Sequence, residues 1–559
     1  MGILAVRRST GISRISIGAL SFSLLSILSS CAADTGNGAA DATPPRVLIT
    51  SPLDNASGVP VDNLVRATFS EAIDGSTADA ATFVVTLAGK DVPGTVSFAE
   101  ATIAFAPAEP FSLLSRYSVT ATTGIRDAAG NGMAADNTWT FTTRDGSWGA
   151  AELAEAGTDN AASPVIAMDP MGNAMMVWME NNGLLTAGRI WSNRYTPGLG
   201  WGTARQIDAG SAFLEIGQPC VIVDPNGNAV ALWRQSDGPG LPSRIWANRY
   251  TAGGGWETAL PINTNTGNSM NPQVAMDVAG NAVAVWVQWG GTDNGVWTNR
   301  YEPGVGWGIP QVLTNTGESS FATVGMDGNG NAIVVWEQWD GTRFNQWANR
   351  YRAGSGWGTS ELIESGDGDA RFQQIAVDTD GNAVAAWAQS EGAGTRIWAN
   401  RYRAGSGWGT ADVVGNGGMS GWSSSPNVSV DSSGDAIIGW YAYDGTNLTS
   451  WVNTGSEGSG WGNPRPLSPG NTDSSIPSVA MDAYGNALAL WRQWDGTRFN
   501  LWANRYGKDV GWGTAQLIET ADGPLTTPPR MSMHSKGNAI VVWGQNDGSL
   551  NRVWANRFE

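Results

Sequence analysis

The sequence predicts an all-β protein in which a small β-sandwich is followed by an eight-bladed β-propeller. A G-x-G-W-type segment recurs with its Trp at 148, 201, 256, 307, 357, 408, 461 and 512, so the repeat period is 50 to 55 residues. Periods of this size are typical of propellers and solenoids. Each unit carries four short apolar runs separated by Gly-rich turns and shows no helical periodicity, which indicates four strands per blade.

The phase of the repeat predicts how the ring closes. Each unit contains a first strand around V-A-M-D, a second strand N-A-V-A-V-W, a third strand W-A-N-R-Y and a fourth strand that begins at the recurring G-W. The chain ends after the third strand of the eighth unit, Val553–Arg557, while a fourth-type strand, Trp148–Leu153, precedes the first unit. We therefore expect these two segments to pair and to close a propeller over residues 146–559, which removes the exposed sheet edges of an open array.

Tryptophan supplies the predicted core. All of the 29 Trp except Trp139 lie in the repeats, at fixed places in each unit. A buried Trp removes roughly 150–250 Å² from water, so this set can hold the sheets together without a cofactor. The two cysteines, Cys31 and Cys220, do not indicate a disulfide framework, and we expect Cys220 to be a small buried apolar residue.

The first 43 residues predict export and lipid anchoring. Arg7, Arg8 and Arg14 precede a short apolar run, which is the pattern of a signal peptide. The following Leu28-Ser29-Ser30-Cys31 resembles a bacterial lipobox, and this resemblance implies a signal peptide over 1–30 with lipid attached to Cys31. Residues 31–43 are small and polar and form a predicted flexible tether. Ala32 after the cysteine implies an outer-membrane lipoprotein on the periplasmic or cell-surface side.

Residues 44–143 show alternating runs with turns every 8–12 residues, the pattern of a β-sandwich. Their motifs, which include Thr68-Phe69-Ser70-Glu71, Asp127-Ala128-Ala129-Gly130-Asn131 and Trp139-Thr140-Phe141-Thr142-Thr143, resemble the bacterial Ig-like domain of the S-layer-protein type. That resemblance implies a spacer or stalk without catalytic residues. The later repeats, which run P-x-V-x-x-D-x-x-G-N, resemble the BNR or Asp-box propellers of sialidases and related lectins.

The charge of the chain excludes one class of partner. The formal net charge is −18, with 50 acidic residues against 32 Lys and Arg, and three of those Arg lie in the predicted signal peptide. Phosphate backbones require a basic surface, so nucleic acid is excluded as a partner. We expect a monomer.

Two sets of repeated polar residues have competing interpretations. The D-x-x-G-N turns begin at Asp169, Asp224, Asp277, Asp327, Asp378, Asp431 and Asp482, with His534 in the eighth. We expect these side chains to cap turns rather than bind calcium, and we assign no metal site. The arginines of W-x-N-R are expected to stack on neighbouring Trp and bind turn carbonyls. Their symmetric repetition argues against the alternative, an arginine cluster that holds a carboxylate.

The loops that vary predict the functional face. Loops between the second and third strands, and between the fourth strand and the next first strand, differ in every unit and share one face of the ring, which we call the variable face. Loops presented by a rigid scaffold often carry binding function. The candidate ligand-binding residues there are Phe213, Glu215, Phe321, Arg371, Phe372, Trp422, Trp289, Trp339 and Trp494. For the last three, packing between blades is the alternative.

Three functions are compatible with the sequence. The leading one is a non-enzymatic module that binds glycan or protein on an Ig-like stalk. The second is a scaffold for an outer-membrane assembly. The third is a glycoside hydrolase or lyase, which needs two carboxylates about 5–10 Å apart in the central funnel. We assign no catalytic residues, because no such pair stands out in the sequence.

Overall fold

The computed structural model describes residues 41–559 except 156, 182–187, 210–215, 237, 239, 265–266, 290, 292–293, 315–316, 393, 416–422, 444, 469–471 and 476. The predicted signal peptide, Cys31 and the candidates Phe213, Glu215 and Trp422 lie outside the described residues. Within the described part of the chain, no helix is long and apolar enough to cross a membrane.

The N-terminal unit is a two-sheet β-sandwich. Its strands are β1 (Val47–Ser51), β2 (Ala56–Val59), β3 (Val65–Phe69), β4 (Phe83–Leu87), β5 (Lys90–Asp91), β6 (Gly94–Ala99), β7 (Thr102–Pro107), β8 (Arg116–Ala121) and β9 (Asn137–Thr143), with one 3₁₀ turn, Gly75–Thr77. The sheet orders are β1-β3-β7-β6 and β2-β9-β8-β4-β5. Alternating residues of both sheets, including Phe83, Ile103 and Phe141, form one buried core, as expected for strands with a period of two.

Eight further sheets follow, numbered here 1 to 8 by the order of their first strands. The first strands are Asn160–Met168, Ile216–Val223, Ser269–Met276, Ser319–Met326, Ala370–Val377, Ser423–Val430, Ser478–Met481 and Arg530–Met533. The second strands are Ala174–Asn181, Ala229–Ser236, Ala282–Trp289, Ala332–Trp339, Ala383–Glu391, Ala436–Tyr443, Ala487–Trp494 and Ala539–Asn546. The third strands are Gly188–Thr196, Ser243–Thr251, Asn294–Glu302, Phe344–Arg352, Gly394–Arg403, Leu448–Ser456, Phe499–Gly507 and Asn551–Phe558.

The fourth position of sheets 1 to 7 holds two short pieces that both pair with the third strand. The first pieces are Gly200–Trp201, Gly255–Trp256, Gly306–Trp307, Gly356–Trp357, Gly407–Trp408, Gly460–Trp461 and Gly511–Trp512. The second pieces are Arg205–Gln206, Leu260–Pro261, Gln311–Val312, Glu361–Leu362, Asp412–Gly415, Arg465–Pro466 and Gln516–Leu517. Neighbouring strands of each sheet run antiparallel, with the turns that the sequence pattern predicts.

The eighth sheet combines both ends of the repeat region. Its fourth strand is Glu152–Leu153, which pairs with the third strand through Glu152 with Ala555 and Leu153 with Trp554. Trp148 forms a further bridge to Phe558, and the backbones of Ser147 and Glu559 exchange two hydrogen bonds. This is the pairing that the phase of the repeat predicts.

The sheets contact one another in cyclic order. Each first strand packs on the sheet before it, and the first strand of sheet 1 packs on all three long strands of sheet 8. Apolar clusters between sheets include one that joins Ala161 and Trp178 of sheet 1 to Val542 and Val553 of sheet 8. Cys220 packs in the cluster between sheets 2 and 3, and burial raises the pKa of its thiol to about 12.

Each second strand contributes one Trp that is wholly buried: Trp178, Trp233, Trp286, Trp336, Trp387, Trp440, Trp491 and Trp543. In seven sheets the indole N–H donates to the side chain two residues later, at 2.7–3.1 Å. That acceptor is Glu180 in sheet 1 and Gln in the other six. A buried indole N–H without an acceptor is costly, so the repeated Gln explains how the core accommodates this side chain.

The W-x-N-R residues join neighbouring sheets. The Asn amide donates to a carbonyl on the fourth strand of the preceding sheet, as in Asn248 to Ile207 at 2.9 Å and Asn193 to Ala154 at 3.0 Å. The Arg stacks on an aromatic ring of the next sheet, which corrects the expectation that the partner is mainly Trp. Five of the seven partners are Tyr, and only Arg401 stacks on Trp, Trp461.

The D-x-x-G-N residues cap turns, as predicted. Asp169 Oδ1 accepts from the backbone N–H groups of Met171 and Asn173, and its Oδ2 accepts from the Asn173 amide. His534 replaces the Asp by accepting from Lys536 N through Nδ1, at 3.0 Å. These turns lie on one face of the sheets, which we call the turn face.

The N-terminal sandwich docks on the turn face at sheets 7 and 8. Leu113 packs with Leu488, Ala539 and Phe558 in one buried cluster, and its N–H donates to Lys536 O at 2.9 Å. Lys536 Nζ contacts Glu109 at 2.6 Å. Because the sandwich covers the turn face next to the closing sheet, the variable face points away from it.

Candidate functional site

The first strands of all eight sheets line one central cavity of about 510 Å³ near the variable face. In sheets 1 to 6 the pairing of first and second strands shifts register near the start of the first strand. Such a β-bulge leaves one residue unpaired and redirects its side chain. Here the bulge residues line the cavity.

The backbone at the bulge is constant while the side chain varies. The bulge residues Ser163, Gln218, Asn271, Phe321, Phe372 and Ser425 all have positive φ, between 45° and 59°. Positive φ is uncommon for a residue other than Gly and is an outlier for a bulky one. The same uncommon conformation thus recurs at six positions with four kinds of side chain, and conformations of this kind are often found at functional sites.

The predicted candidates Phe321, Phe372 and Arg371 come together at sheets 4 and 5. Both Phe rings line the cavity and are 44% and 42% exposed. The Gln373 amide joins the two strands by donating to Phe321 O at 2.6 Å. Two adjacent exposed rings in a concave wall form an apolar platform.

Arg371 and Glu337 support this platform from behind. The Arg371 guanidinium stacks on Phe344, 4.1 Å from the ring centre, and lies 5.7 Å from that of Phe372. It forms an ion pair with Glu337 at 3.2 Å, and the Glu337 side chain is wholly buried. Glu337 also accepts from Phe372 N at 3.0 Å. Burial raises the pKa of Glu337, whereas the hydrogen bond from Phe372 and the charge of Arg371 lower it. Arg371 therefore positions Phe372 rather than offering a free charge to a ligand.

Amide side chains form the neighbouring wall. Gln218 and Asn271 bind each other across sheets 2 and 3, with Gln218 Nε2 donating to Asn271 Oδ1 at 2.7 Å. Gln273, Gln374 and Asn427 line the cavity two residues deeper along their strands. These groups offer both donors and acceptors of hydrogen bonds.

The predicted Trp residues lie on the rim of the variable face, outside the cavity lining. Trp289 is 43% and Trp494 37% exposed. Trp339 packs on Phe344 and Trp494 on Phe499, each with ring centres 5.2 Å apart across its own hairpin. Trp339 and Trp494 thus each pack on a ring of their own hairpin, and packing of the three Trp between blades stays an alternative.

Sequence reasoning missed most of the cavity lining. The bulge residue stands just before the residue that is Pro in most units, as in Ser163-Pro164 and Asn271-Pro272. When the repeats are aligned, this position changes from Ser to Gln to Phe, while the next position is Pro in most units. That contrast could have identified the cavity-lining position from the sequence. Arg530, also in the lining, falls in another variable column.

Three carboxylates of the sandwich, Asp41, Glu71 and Asp127, offer ligand atoms within 4.8 Å of one another. Asp127 already accepts from the backbone N–H groups of Ala129 and Asn131. This is the capping arrangement of the other D-x-x-G-N turns, so turn capping accounts for the position of the Asp127 carboxylate.

A second carboxyl pair is buried where sheet 8 meets sheet 1. Glu155 and Glu180 are 3% and 4% exposed, and Glu155 forms an ion pair with Arg552 at 3.4 Å. Glu180 Oε1 accepts from the Trp178 indole at 2.9 Å. Neither residue lines the central cavity. The equivalent residues at sheets 7 and 8, Glu519 and Gln545, are bonded at 3.2 Å.

This pair predicts a pH-dependent stability. Burial raises the pKa of Glu180 to about 7, against the hydrogen bond from Trp178, and the charge of Glu155 adds to the increase. The folded protein then holds a proton that the unfolded chain releases above pH 4.5, so stability falls as pH rises from about 4.5 to about 7. We expect Glu180→Gln to raise the free energy of unfolding by about 1–3 kcal/mol at pH 8 and to change it little at pH 4.5. Urea unfolding at both pH values measures this.

The matched control is Gln545→Glu, which creates the same carboxyl pair beside Glu519. It should destabilise the protein at both pH values, because Gln545 Nε2 also donates to Ala521 O and Gly523 O, and it should do so more strongly at pH 8, where the two carboxyl groups repel each other. Equal effects of Glu180→Gln at the two pH values would show that the proton on Glu180 is not involved.

Comparison with known proteins identifies one part of the chain. Residues 41–143 match the family of bacterial Ig-like domains, which agrees with the motifs noted above. No curated protein matches the sequence. Among solved structures, the chain is similar to a protein of unknown function from Dyadobacter fermentans, with 12% identity and a TM-score of 0.36 over 62% of this chain and 94% of that one.

Two sialidases are also similar. The Hadza microbial sialidase Hz136 has 11% identity and a TM-score of 0.34, over 93% of this chain and 98% of that one. The intramolecular trans-sialidase from Ruminococcus gnavus has 12% identity and a TM-score of 0.37, over 64% and 97%. These likenesses are too distant to indicate an activity for this chain.

Proposed function

We propose that this protein is an exported, lipid-anchored binding module whose eight sheets form a closed propeller that binds glycan in its central cavity. The Ig-like domain acts as the stalk, and the tether attaches it to the outer membrane through Cys31. The main observation behind this proposal is the repeated bulge. It presents side chains from six positions to one cavity, and two of them are exposed Phe rings.

Contacts between the ends of the repeat region support the closed ring. Arg557 of sheet 8 stacks on Tyr195 of sheet 1 at 5.0 Å, just as Arg194 of sheet 1 stacks on Tyr250 of sheet 2 at 5.6 Å. The junction of sheets 8 and 1 thus repeats the contact made at other junctions. Closure makes the ring rigid, which lowers the entropy cost of presenting a preformed site.

The chemistry of the lining supports a glycan. Sugar rings have apolar faces that stack on aromatic side chains and hydroxyl groups that bind amides, and pockets with few placed polar groups orient such ligands. Phe321 and Phe372 offer the first kind of contact, and Gln218, Asn271 and Gln273 offer the second. The orientation of the docked sandwich supports it too, because the sandwich packs on the turn face and not on the described residues of the cavity lining.

The placement of acids supports binding without hydrolysis. Among the described residues that line the cavity there is no Asp, Glu or His. Glycoside hydrolysis by the usual route needs two carboxyl groups beside the scissile bond. The buried Glu337 is held by Arg371, and the pair Glu155 and Glu180 lies elsewhere.

A glycan array with the chain from residue 32, which retains every described residue, tests the proposal. We expect binding that Phe321→Ala and Phe372→Ala each weaken by about tenfold, since burial of about 60 Å² of apolar surface at about 25 cal/mol per Å² is worth about 1.5 kcal/mol. Leu260→Ala, at an exposed position on the fourth strand of sheet 2, is the control. Binding of a protein partner in place of any glycan would favour the scaffold alternative.

Anchoring has a separate test. Changing Cys31→Ala removes the only residue to which the predicted lipobox attaches lipid. We expect the variant to leave the membrane fraction and appear in soluble fractions, whereas Cys220→Ala should stay with the membrane. Retention of the Cys31→Ala protein in membranes would contradict the lipoprotein proposal.

A further inference from the structure

We infer that the glycan bound in the central cavity carries an anionic group, a carboxylate or a sulfate ester, which pairs with Arg530. This inference rests on the proposed function and names the class of its ligand. Arg530 begins the first strand of sheet 8 and lines the same cavity as Phe321 and Phe372.

Arg530 has no counterion in the described part of the chain. Several other arginines near the variable face have acidic partners: Arg371 pairs with Glu337, Arg498 with Glu519 and Arg552 with Glu155. Arg492 has none among the described residues, but it donates to Ser475 Oγ at 3.2 Å and lies over the Phe499 ring. No ion pair or hydrogen bond joins Arg530 to a described side chain, and no described residue of the cavity lining is acidic. Arg530 is exposed where it lines the cavity, and no described acidic group raises the pKa of its guanidinium, which desolvation lowers. An exposed guanidinium on a concave wall is placed to pair with an anion that enters the cavity.

The repeat does not need a charge at this position. Arg530 pairs in register with Val542 on the second strand. The residues at the same register in the other sheets are Val165, Cys220, Gln273, Thr323, Gln374, Asn427 and Ser478. All seven are uncharged, so a strand that folds equally well with Val or Ser carries Arg here for a reason other than folding.

The position of Arg530 complements the apolar platform. In the cyclic order of sheets, sheet 8 is four sheets from sheet 4 in either direction, so Arg530 faces Phe321 across the cavity. It shares its register with Gln273 and Gln374, each two residues past the bulge residue of its own strand, which is about 7 Å deeper at about 3.3 Å per residue. A ligand can therefore stack at the mouth while its acidic group reaches the opposite wall.

The guanidinium suits both anions named. Its planar set of N–H donors binds carboxylate or sulfate oxygens through two parallel hydrogen bonds. Gln374 and Asn427, which also line the cavity at this depth, supply hydrogen bonds for hydroxyl groups beside the acid. An acidic peptide shares the anion but not the stacking face, and it serves as one arm of the test.

The experiment measures affinities of matched probes for the chain from residue 32. The probes are oligogalacturonates and their methyl esters, sulfated and desulfated galactan oligosaccharides, and an Asp-rich peptide. We expect an acidic oligosaccharide to bind at least about tenfold more tightly than its neutral partner, with affinity that falls as salt rises. The identity of the acidic probe that binds shows whether the anionic group is a carboxylate or a sulfate.

Arg530→Gln should remove this preference, lowering affinity for the acidic probe by about tenfold or more while leaving the neutral probe and the melting temperature unchanged. Arg205→Gln, at an exposed position on the fourth strand of sheet 1, removes the same charge away from the cavity and should change neither. Equal affinity for the paired probes, or an Arg530→Gln variant with unaltered binding, overturns the anion inference.

The outcomes separate the two proposals. One outcome is that neutral glycans bind equally well to the protein and to Arg530→Gln but do not bind to Phe321→Ala. That outcome supports the glycan-binding proposal and overturns the anion inference. Binding of the Asp-rich peptide in preference to every glycan overturns both, and so does the absence of any glycan binding on the array.

Discussion

Removing residues 551–559 is expected to abolish cooperative unfolding of the eight sheets. This segment is the third strand of sheet 8 and the only neighbour of strand Glu152–Leu153. It also carries Arg557, which stacks on Tyr195, and Asn556, which donates to Ile518 O at 2.8 Å. Its loss breaks the contacts of sheet 8 with sheets 7 and 1. A folded domain is typically stable by only roughly 5–15 kcal/mol, so the loss of a whole strand with its contacts on both sides is expected to have a large effect.

Urea unfolding followed by both far-UV circular dichroism and Trp fluorescence measures the effect. We expect broad, non-coincident transitions in place of one sharp transition. The control is Glu559→Ala, because Glu559 contacts Ser147 through backbone atoms and its side chain forms only a partly exposed ion pair with Arg557 at 3.3 Å, which is expected to contribute little. A truncated protein that still unfolds in one sharp transition at the original midpoint would show that closure contributes little.

The second large effect is expected for Trp336→Ala. Trp336 is wholly buried, and its indole donates to Gln338 at 3.0 Å. Substitution of a buried Trp by Ala leaves a cavity and typically costs about 3–5 kcal/mol. Trp178→Ala should behave alike, because Trp178 is also wholly buried. Phe321→Ala and Phe372→Ala should each cost much less, because these residues are already 44% and 42% exposed.

Comparing the free energies of unfolding of these four variants separates core from binding surface. The backbone at positions 321 and 372 keeps its positive φ in the Ala variants, so the comparison isolates the rings. If the Phe variants lost as much stability as the Trp variants, the rings would be part of the core. The glycan proposal would then lose its apolar platform.

The sequence alone predicted the features that depend on neighbours in the chain. The repeat placed the strands, and the D-x-x-G-N pattern identified capped turns because each Asp bonds N–H groups two and four residues later. The pairing of Trp148–Leu153 with the last strand followed from the phase of the repeat. The sequence also identified the Ig-like domain, because the motifs of that domain lie within one continuous segment.

Only the tertiary structure decided which residues share a site. Phe321 and Phe372 were predicted as candidates, but their grouping with Gln218, Asn271 and Arg530 joins strands up to 312 residues apart. The β-bulge that aims these side chains is a register shift between two strands, which no single strand specifies. Likewise, the Arg of W-x-N-R was expected to stack on Trp, but it meets a Tyr because its partner belongs to the next sheet. Whether a charge is paired depends on every neighbour in space, so the unpaired state of Arg530 became visible only when eight sheets surrounded one cavity.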